Sequence, residues 1–287
     1  MNYNRYEREV LAAFPKVREL SGLKSGSDRD RFLIELQESD FLREYLNFLL
    51  NQVAEDSNFI PPGSDGAIAI LADSGLALVL RSYDPAKLRQ TVTGANPILH
   101  SQNADVAMIL VSKDPVGFAH YQYHYDPSKD MLTNFRTIAL SDKEDMLLNQ
   151  GDIFYSKSNH SVGDYSRIDK KATFLAISVA SDFKYTFAFD KKSGLPMQII
   201  AATNEDTRIE YISQIFAELN APEAVPQMVQ LLKKVSGFGR WRLARDILKL
   251  DHNAGVQIIA NMAKHDDDAQ VRNAAQKSLK LLGWAGT

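Results

Sequence analysis

The sequence predicts an α+β protein with an antiparallel β-rich middle between two helical ends. Two changes of period and one internal repeat predict it. Apolar residues recur at helical spacing to about residue 56, alternate like strands from Ala67 to about residue 202, and return to helical spacing from about Thr203. Within the last part, Val225, Met228 and Leu248 each lie 31 positions before a matching apolar residue, Val256, Ile259 and Leu279. Helix pairs repeated at such a distance suggest a small α-solenoid. The expected division is 1–60, 61–203 and 204–287.

At the N-terminal end, Val10, Leu11, Phe14, Val17 and Leu20 make one stripe, and Phe32, Leu33 and Leu36 another. Asp40 is placed to cap a third helix with the face Phe41, Leu42, Tyr45, Leu46, Leu49 and Leu50. Pro61-Pro62-Gly63-Ser64-Asp65-Gly66 then breaks the pattern. A hairpin is expected over 67–72 and 76–81 around Asp73-Ser74-Gly75. Further strands are expected at 104–112, 116–125, 132–140, 145–148, 152–156, 172–180, 184–190 and 195–202, with a turn at Asp190–Gly194. Such a run of short strands with no helix between them predicts a sandwich or barrel. Beyond it, Ile209, Ile212, Ile215 and Phe216 form one stripe, and Val225, Met228, Val229, Leu231 and Leu232 a second.

The totals exclude several classes. A chain of 287 residues, 45% hydrophobic and 24% charged, can bury a large core. A net charge of −3 gives no overall pull toward nucleic acid or anionic membrane. The absence of cysteine removes disulfides, thiolate metal sites and cysteine nucleophiles. The N-terminal residues lack the pattern of a cleaved signal, and no apolar run is long enough to span a bilayer, so the cytoplasm is the default expectation. No phosphate-binding G-x-x-x-x-G-K-[ST] loop, H-E-x-x-H helix or G-x-S-x-G elbow occurs.

The chemistry-bearing stretch is Val116–Tyr125, followed by Gly151–Tyr155 and His160. Strand alternation puts His120, Gln122 and His124 on one face and Tyr121, Tyr123 and Tyr125 on the other. Residues two apart on a strand are ~6.6 Å apart and residues four apart ~13 Å. An imidazole nitrogen ligates a metal at only ~2.0–2.2 Å. His120 and His124 therefore do not share one ion on a regular strand. Either neighbouring pair, His120 with Gln122 or Gln122 with His124, could converge if Gln122 gives its amide oxygen. The preferred donor set is Gln122 and His124 with His160 from another strand, and a bulge that re-aims one side chain would change it. Neutral imidazoles with an oxygen donor suit Fe(II) or another divalent first-row metal, such as Mn, Ni or Zn. Tyr155 and the strand tyrosines would order a small polar substrate, and Arg136, on a neighbouring expected strand, would hold its carboxylate. The bland alternative is a β-fold without metal. In it, strand propensity accounts for the tyrosines and Arg136 is a surface charge.

The β-rich middle resembles the cupin family of small jelly-roll barrels. His120-Tyr121-Gln122-Tyr123-His124 is similar to the family's histidine-x-histidine strand, with glutamine in one histidine place. Gly151-Asp152 followed by His160 is similar to its glycine-aspartate strand start and final histidine, at shorter spacing and without the family's proline and second glycine. The family's acidic ligand has only positional candidates, Asp126, Asp130 and Glu144. Asp268–Ala275 followed by Leu279 resembles the second helix of HEAT-like repeats. Together the resemblances imply a cupin-like β-barrel or jelly roll with N-terminal helices and a HEAT-like solenoid. They imply a mononuclear metal-dependent enzyme, an oxygenase, acting on a small polar molecule. An adaptor whose helical repeats dock a protein partner is the alternative, and a homodimer stays open. The basic stretch from Lys233 to Lys249 is read as a solvated repeat face, and Trp241 within it as packed between helices.

Overall fold

The computed structural model describes residues 3–23, 25–64, 66–73, 75–91, 98–126, 132, 135–183, 185–201 and 204–283. The chain forms two compact units, Met1–Gln122 with Ser141–Ser181, and Tyr123–Leu140 with Asp182–Thr287. The boundaries read from periodicity mark changes of secondary structure; the compact units group these segments differently. No helix among the described residues is long and apolar enough to cross a membrane.

The first unit opens with α1 (Tyr3–Ala13), a 3₁₀ segment (Pro15–Gly22), α2 (Gly26–Glu38) and α3 (Phe41–Glu55). Ser25 and Asp28 form a reciprocal capping box at α2. Asp40 occupies the cap position of α3, but its carboxylate makes no cap bond and pairs with Arg43 at 2.9 Å. The Ser39 hydroxyl accepts from the Phe41 N–H instead.

After β1 (Gly63–Ser64), β2 (Ala67–Asp73) and β3 (Leu76–Tyr83) form the expected hairpin, and α4 (Pro85–Thr91) follows. The expectation of no helix among the strands fails at α4, where the Asp84 carboxylate accepts from the Ala86 N–H at 2.9 Å and Pro85 starts the helix. The remaining strands are β4 (Ile98–His100), β5 (Ala104–Leu110), β6 (Val116–Tyr123), β7 (Leu140–Leu148), β8 (Ile153–Ser156), β9 (Ser161–Asp164) and β10 (Ala172–Ala180).

One antiparallel sheet runs β1-β2-β3-β10-β5-β8, and another β7-β6-β9. β10 is apolar on both faces because both are covered. Its Leu175 and Ile177 join Ile109, Leu78 and the helix residues Tyr6, Val10, Leu33 and Tyr45 in one core. Its Phe174 and Ala176 join Met108, Phe154 and Phe118 in the other. The layers are therefore helices, six-stranded sheet and three-stranded sheet. The described strands make open, stacked sheets and not the closed barrel expected. The edge strands β1 and β8 have only two and four residues, too little ladder to close the sheet, and helices already shield one face.

In the second unit, β11 (Tyr185–Asp190) and β12 (Pro196–Ala201) pair antiparallel around the expected turn. There the Asp190 carboxylate accepts from Ser193 N–H and Oγ, and Gly194 takes φ 70°. The strand expected at 132–140 is instead a 3₁₀ turn over Phe135–Thr137, with Thr133 and Asn134 outside the described residues. Leu132, Phe135 and Ile138 recur every three residues, the period of that turn and not of a strand.

Among the described residues α5 (Asn204–Glu218), α6 (Val225–Leu231), α7 (Gly237–Leu250), α8 (His252–His265) and α9 (Ala269–Leu281) follow. α7 packs against α5, α6 and α8, and α8 against α9. A Cβ on Gly255 would lie 2.3 Å from Leu248 Cα, so α7 and α8 approach there as only glycine permits. The residues 31 apart match in burial: Val225 and Val256, and Met228 and Ile259, are buried, while Leu248 and Leu279 are half-buried. The α5 stripe is narrower than expected, since Ile212 and Ile215 are 53% and 51% exposed. α5 turns Ile209, Ser213 and Phe216 inward instead, and the Ser213 hydroxyl bonds the buried Asp246 carboxylate at 2.8 Å.

Phe174→Ala removes a fully buried ring from β10. It should cost ~3–5 kcal/mol of first-unit stability by chemical denaturation. A loss below ~1 kcal/mol would place Phe174 outside a packed core.

Candidate functional site

The stretch 116–125 changes its dry side part-way along. In β6, Val116, Phe118 and His120 are buried in the first unit, with Phe118 edge-on to Phe154 at 5.0 Å. Tyr123 and Tyr125 are buried in the second unit, against Phe187 at 5.9 and 5.8 Å. Gln122 and His124, between and beside them, are exposed. Each ring buries ~150–250 Å², or ~4–6 kcal/mol at ~25 cal/mol/Å² before ordering costs. An amide and an imidazole gain far less from burial. The tyrosines therefore decide which side of this segment is dry.

His120 is the site's only buried imidazole among the described residues. It pairs across the ladder with Gly163 and sits edge-on to Phe154 at 5.0 Å. A Cβ on Gly163 would meet the Tyr165 ring at 2.5 Å, so glycine there admits Tyr165 beside Phe118. His120 Nε2 is buried and has no hydrogen-bond partner among the described residues. Burial lowers the His120 pKa below the ordinary value, and the Glu144 carboxylate opposes the shift.

The other expected residues lie on separate elements. His160 is half-buried in the turn before β9, with Nδ1 3.0 Å from the Ser158 carbonyl. The preceding Asn159, at φ 49°, sets that turn. Tyr155, on β8, is 52% exposed; partial burial and the Asp30 carboxylate push its phenol up to about 12, so it stays protonated at neutral pH. Arg136 sits exposed on the 3₁₀ turn of the second unit and not on a strand. Glu144 is exposed on β7, Asp126 is half-buried, and Asp130 lies outside the described residues.

Gln122 and His160 belong to the first unit and His124 to the second. Among the described residues, no group of three or more histidines and carboxylates could hold a metal ion. Gln122 and His124 are both exposed, and no step is derived through a metal.

Sequence reasoning missed a groove of about 700 Å³ on the helices of the second unit. Val229, Leu232, Ile258 and Met262 give it an apolar floor, and Gln257 and Asn261 add amides. Lys233 and Asp267 supply charge at its edge, beside His265. Arg240 and Asp266 brace it by a two-point ion pair at 2.7 and 2.9 Å. The run Asp266-Asp267-Asp268 marks the boundary between α8 and α9, where Asp266 meets Arg240 of α7.

No protein-family model and no curated protein matches the sequence. Among solved structures, the chain is similar to the DMSP lyase DddQ from Ruegeria pomeroyi, at 13% identity over 66% of this chain and 98% of that one, TM-score 0.31. It is also similar to a cupin-like protein from Thermotoga maritima, at 15% identity over 53% and 96%, TM-score 0.25. A double-stranded β-helix protein from Klebsiella pneumoniae gives 12% identity over 44% and 87%, TM-score 0.23.

Because the folded His120 pKa is depressed, the unfolded chain binds a proton more readily. The stability from neutral His120 is complete above the unfolded value of ~6.5 and falls as pH drops from there toward the folded pKa. His120→Phe should remove that slope, at most ~1.4 kcal/mol per pH unit. Chemical denaturation at several pH values between neutral and mildly acid checks it; parallel curves for the two proteins would contradict a dry imidazole.

Proposed function

We propose that this chain is a non-catalytic adaptor or regulatory protein. Its β-rich unit serves as a cupin-like scaffold, and its helical layer docks a segment of a partner protein. The observation that carries the reading is the groove over α6, α7 and α8: an apolar floor, two amides and both signs of charge at the edge. Amides pair with a peptide backbone, the floor accepts apolar side chains, and mixed charge fixes direction. Two stacked antiparallel sheets, and a Gly151-Asp152 turn before β8 with His160 after it, support the cupin-like half.

The enzymatic alternative is a cupin-type oxygenase holding Fe(II) or another divalent first-row metal through Gln122, His124, His160 or His120. Its support is the buried, unpartnered His120 nitrogen. The exposure of Gln122 and His124 favours the adaptor.

Selection of displayed peptides on the full-length protein tests the groove. Peptides sharing a consensus should emerge, and their binding should fall at least tenfold in Ile258→Glu or Asn261→Arg. No consensus, or binding indifferent to both changes, would remove the adaptor reading. Elemental analysis separates the alternative: iron, manganese, nickel and zinc should stay well below one per chain, unchanged by His160→Ala. A stoichiometric metal lost on that substitution would reinstate the enzyme.

A further inference from the structure

The second unit holds another cavity, unrelated to the groove and lined by arginines and aromatic rings. One face of α7 presents Phe238, Trp241, Arg242 and Arg245, spaced as neighbours on a helix. The 3₁₀ turn adds Phe135 and Arg136, and β12 supplies another wall. The cavity measures about 250 Å³ and has no carboxylate among its lining residues.

Charge compensation on α7 singles out this spot. Arg240 pairs with Asp266, Arg242 with Glu210 and Lys249 with Asp246, each at 2.7 Å. Arg245 has no such pair among the described residues, and neither has Arg136 across the cavity. Two guanidinium groups thus converge on one small space without an anion of the protein's own. Aromatic rings lie beside them: Arg136 is 6.0 Å from the Phe135 centroid, and the Glu210-paired Arg242, which also lines the cavity, is 5.5 Å from that of Phe238. Guanidinium forks match the two oxygens of a carboxylate or phosphate, and ring walls suit a flat apolar body. Drug-sized ligands occupy ~300–1,000 Å³. The space here is smaller, which favours a single-ring molecule over a dinucleotide or a lipid.

We propose that this cavity binds a small aromatic oxyanion. Arg136 and Arg245 take its carboxylate or phosphate, and the ring lies among Phe135, Phe238 and Trp241. A protein with a ligand site beside its helical layer can couple the two, but the site stands without the adaptor reading.

Trp241 reports on the cavity directly. With Trp284→Phe as background, its fluorescence is followed while the full chain is titrated with phenyl phosphate, phenylacetate, inorganic phosphate and benzyl alcohol. One of the two aromatic anions should give a saturable change, and which binds tighter assigns the anionic group. Inorganic phosphate and benzyl alcohol should each bind at least tenfold more weakly. Arg136→Gln with Arg245→Gln should weaken binding at least tenfold, whereas Lys264→Gln, an exposed lysine of α8, should not. Both arginines are exposed, so their replacement leaves the core intact, which an unchanged circular dichroism spectrum verifies. The proposal is overturned if neither aromatic anion saturates, if inorganic phosphate binds as tightly, or if the double variant keeps full affinity.

Discussion

The aromatic side chains of residues 116–125 compete with the polar ones for the dry side of the chain, and the fate of every candidate ligand follows. Phe118 is buried with Phe154 in the first unit, and Tyr123 and Tyr125 with Phe187 in the second. His120 shares the side of Phe118 and is buried with it. Gln122 and His124 lie on the side opposite the tyrosines and face water. A row of polar donors on one face is a metal site only where that face is the dry one. Here the rings outweigh them.

The same logic of covered faces organises the first unit. β10 sends Leu175 and Ile177 toward the helices, and Phe174 and Ala176 toward the small sheet. A strand wet on one side would read as alternation, while this one reads as an apolar run because both sides are dry. The unpartnered His120 nitrogen lies against Phe154 of the second of these cores, at a cost of about 1–3 kcal/mol that the packed rings offset. In the second unit the polar ties are inside the helical layer instead, where Asp246 holds Ser213 and Lys249 and Glu210 holds Arg242.

Much of the fold was legible because long apolar periods are a local signal. The helices up to residue 55, the β2–β3 hairpin, β10 and the helices after residue 203 follow it closely. α4 carried a readable Asp-Pro start that strand counting passed over, and the 3₁₀ turn at Phe135 hid a period of three inside a short segment. Sheet closure is a property of pairing between distant strands, which no window of sequence contains. The site was less legible for a related reason. Alternation names the two faces of β6 but not which is buried, and the deciding partner, Phe187, lies more than sixty residues away. The pairing of Arg240 and Arg242, but not Arg245, depends on carboxylates from other helices.

Histidine footprinting by diethyl pyrocarbonate, read residue by residue in a mass spectrometer, tests the buried face of 116–125 most directly. His124 should react rapidly in the folded protein, while His120 stays protected until the chain unfolds. Protection of His124 together with His160, or a His120 as reactive as His124, would contradict the account and return the polar face to the interior.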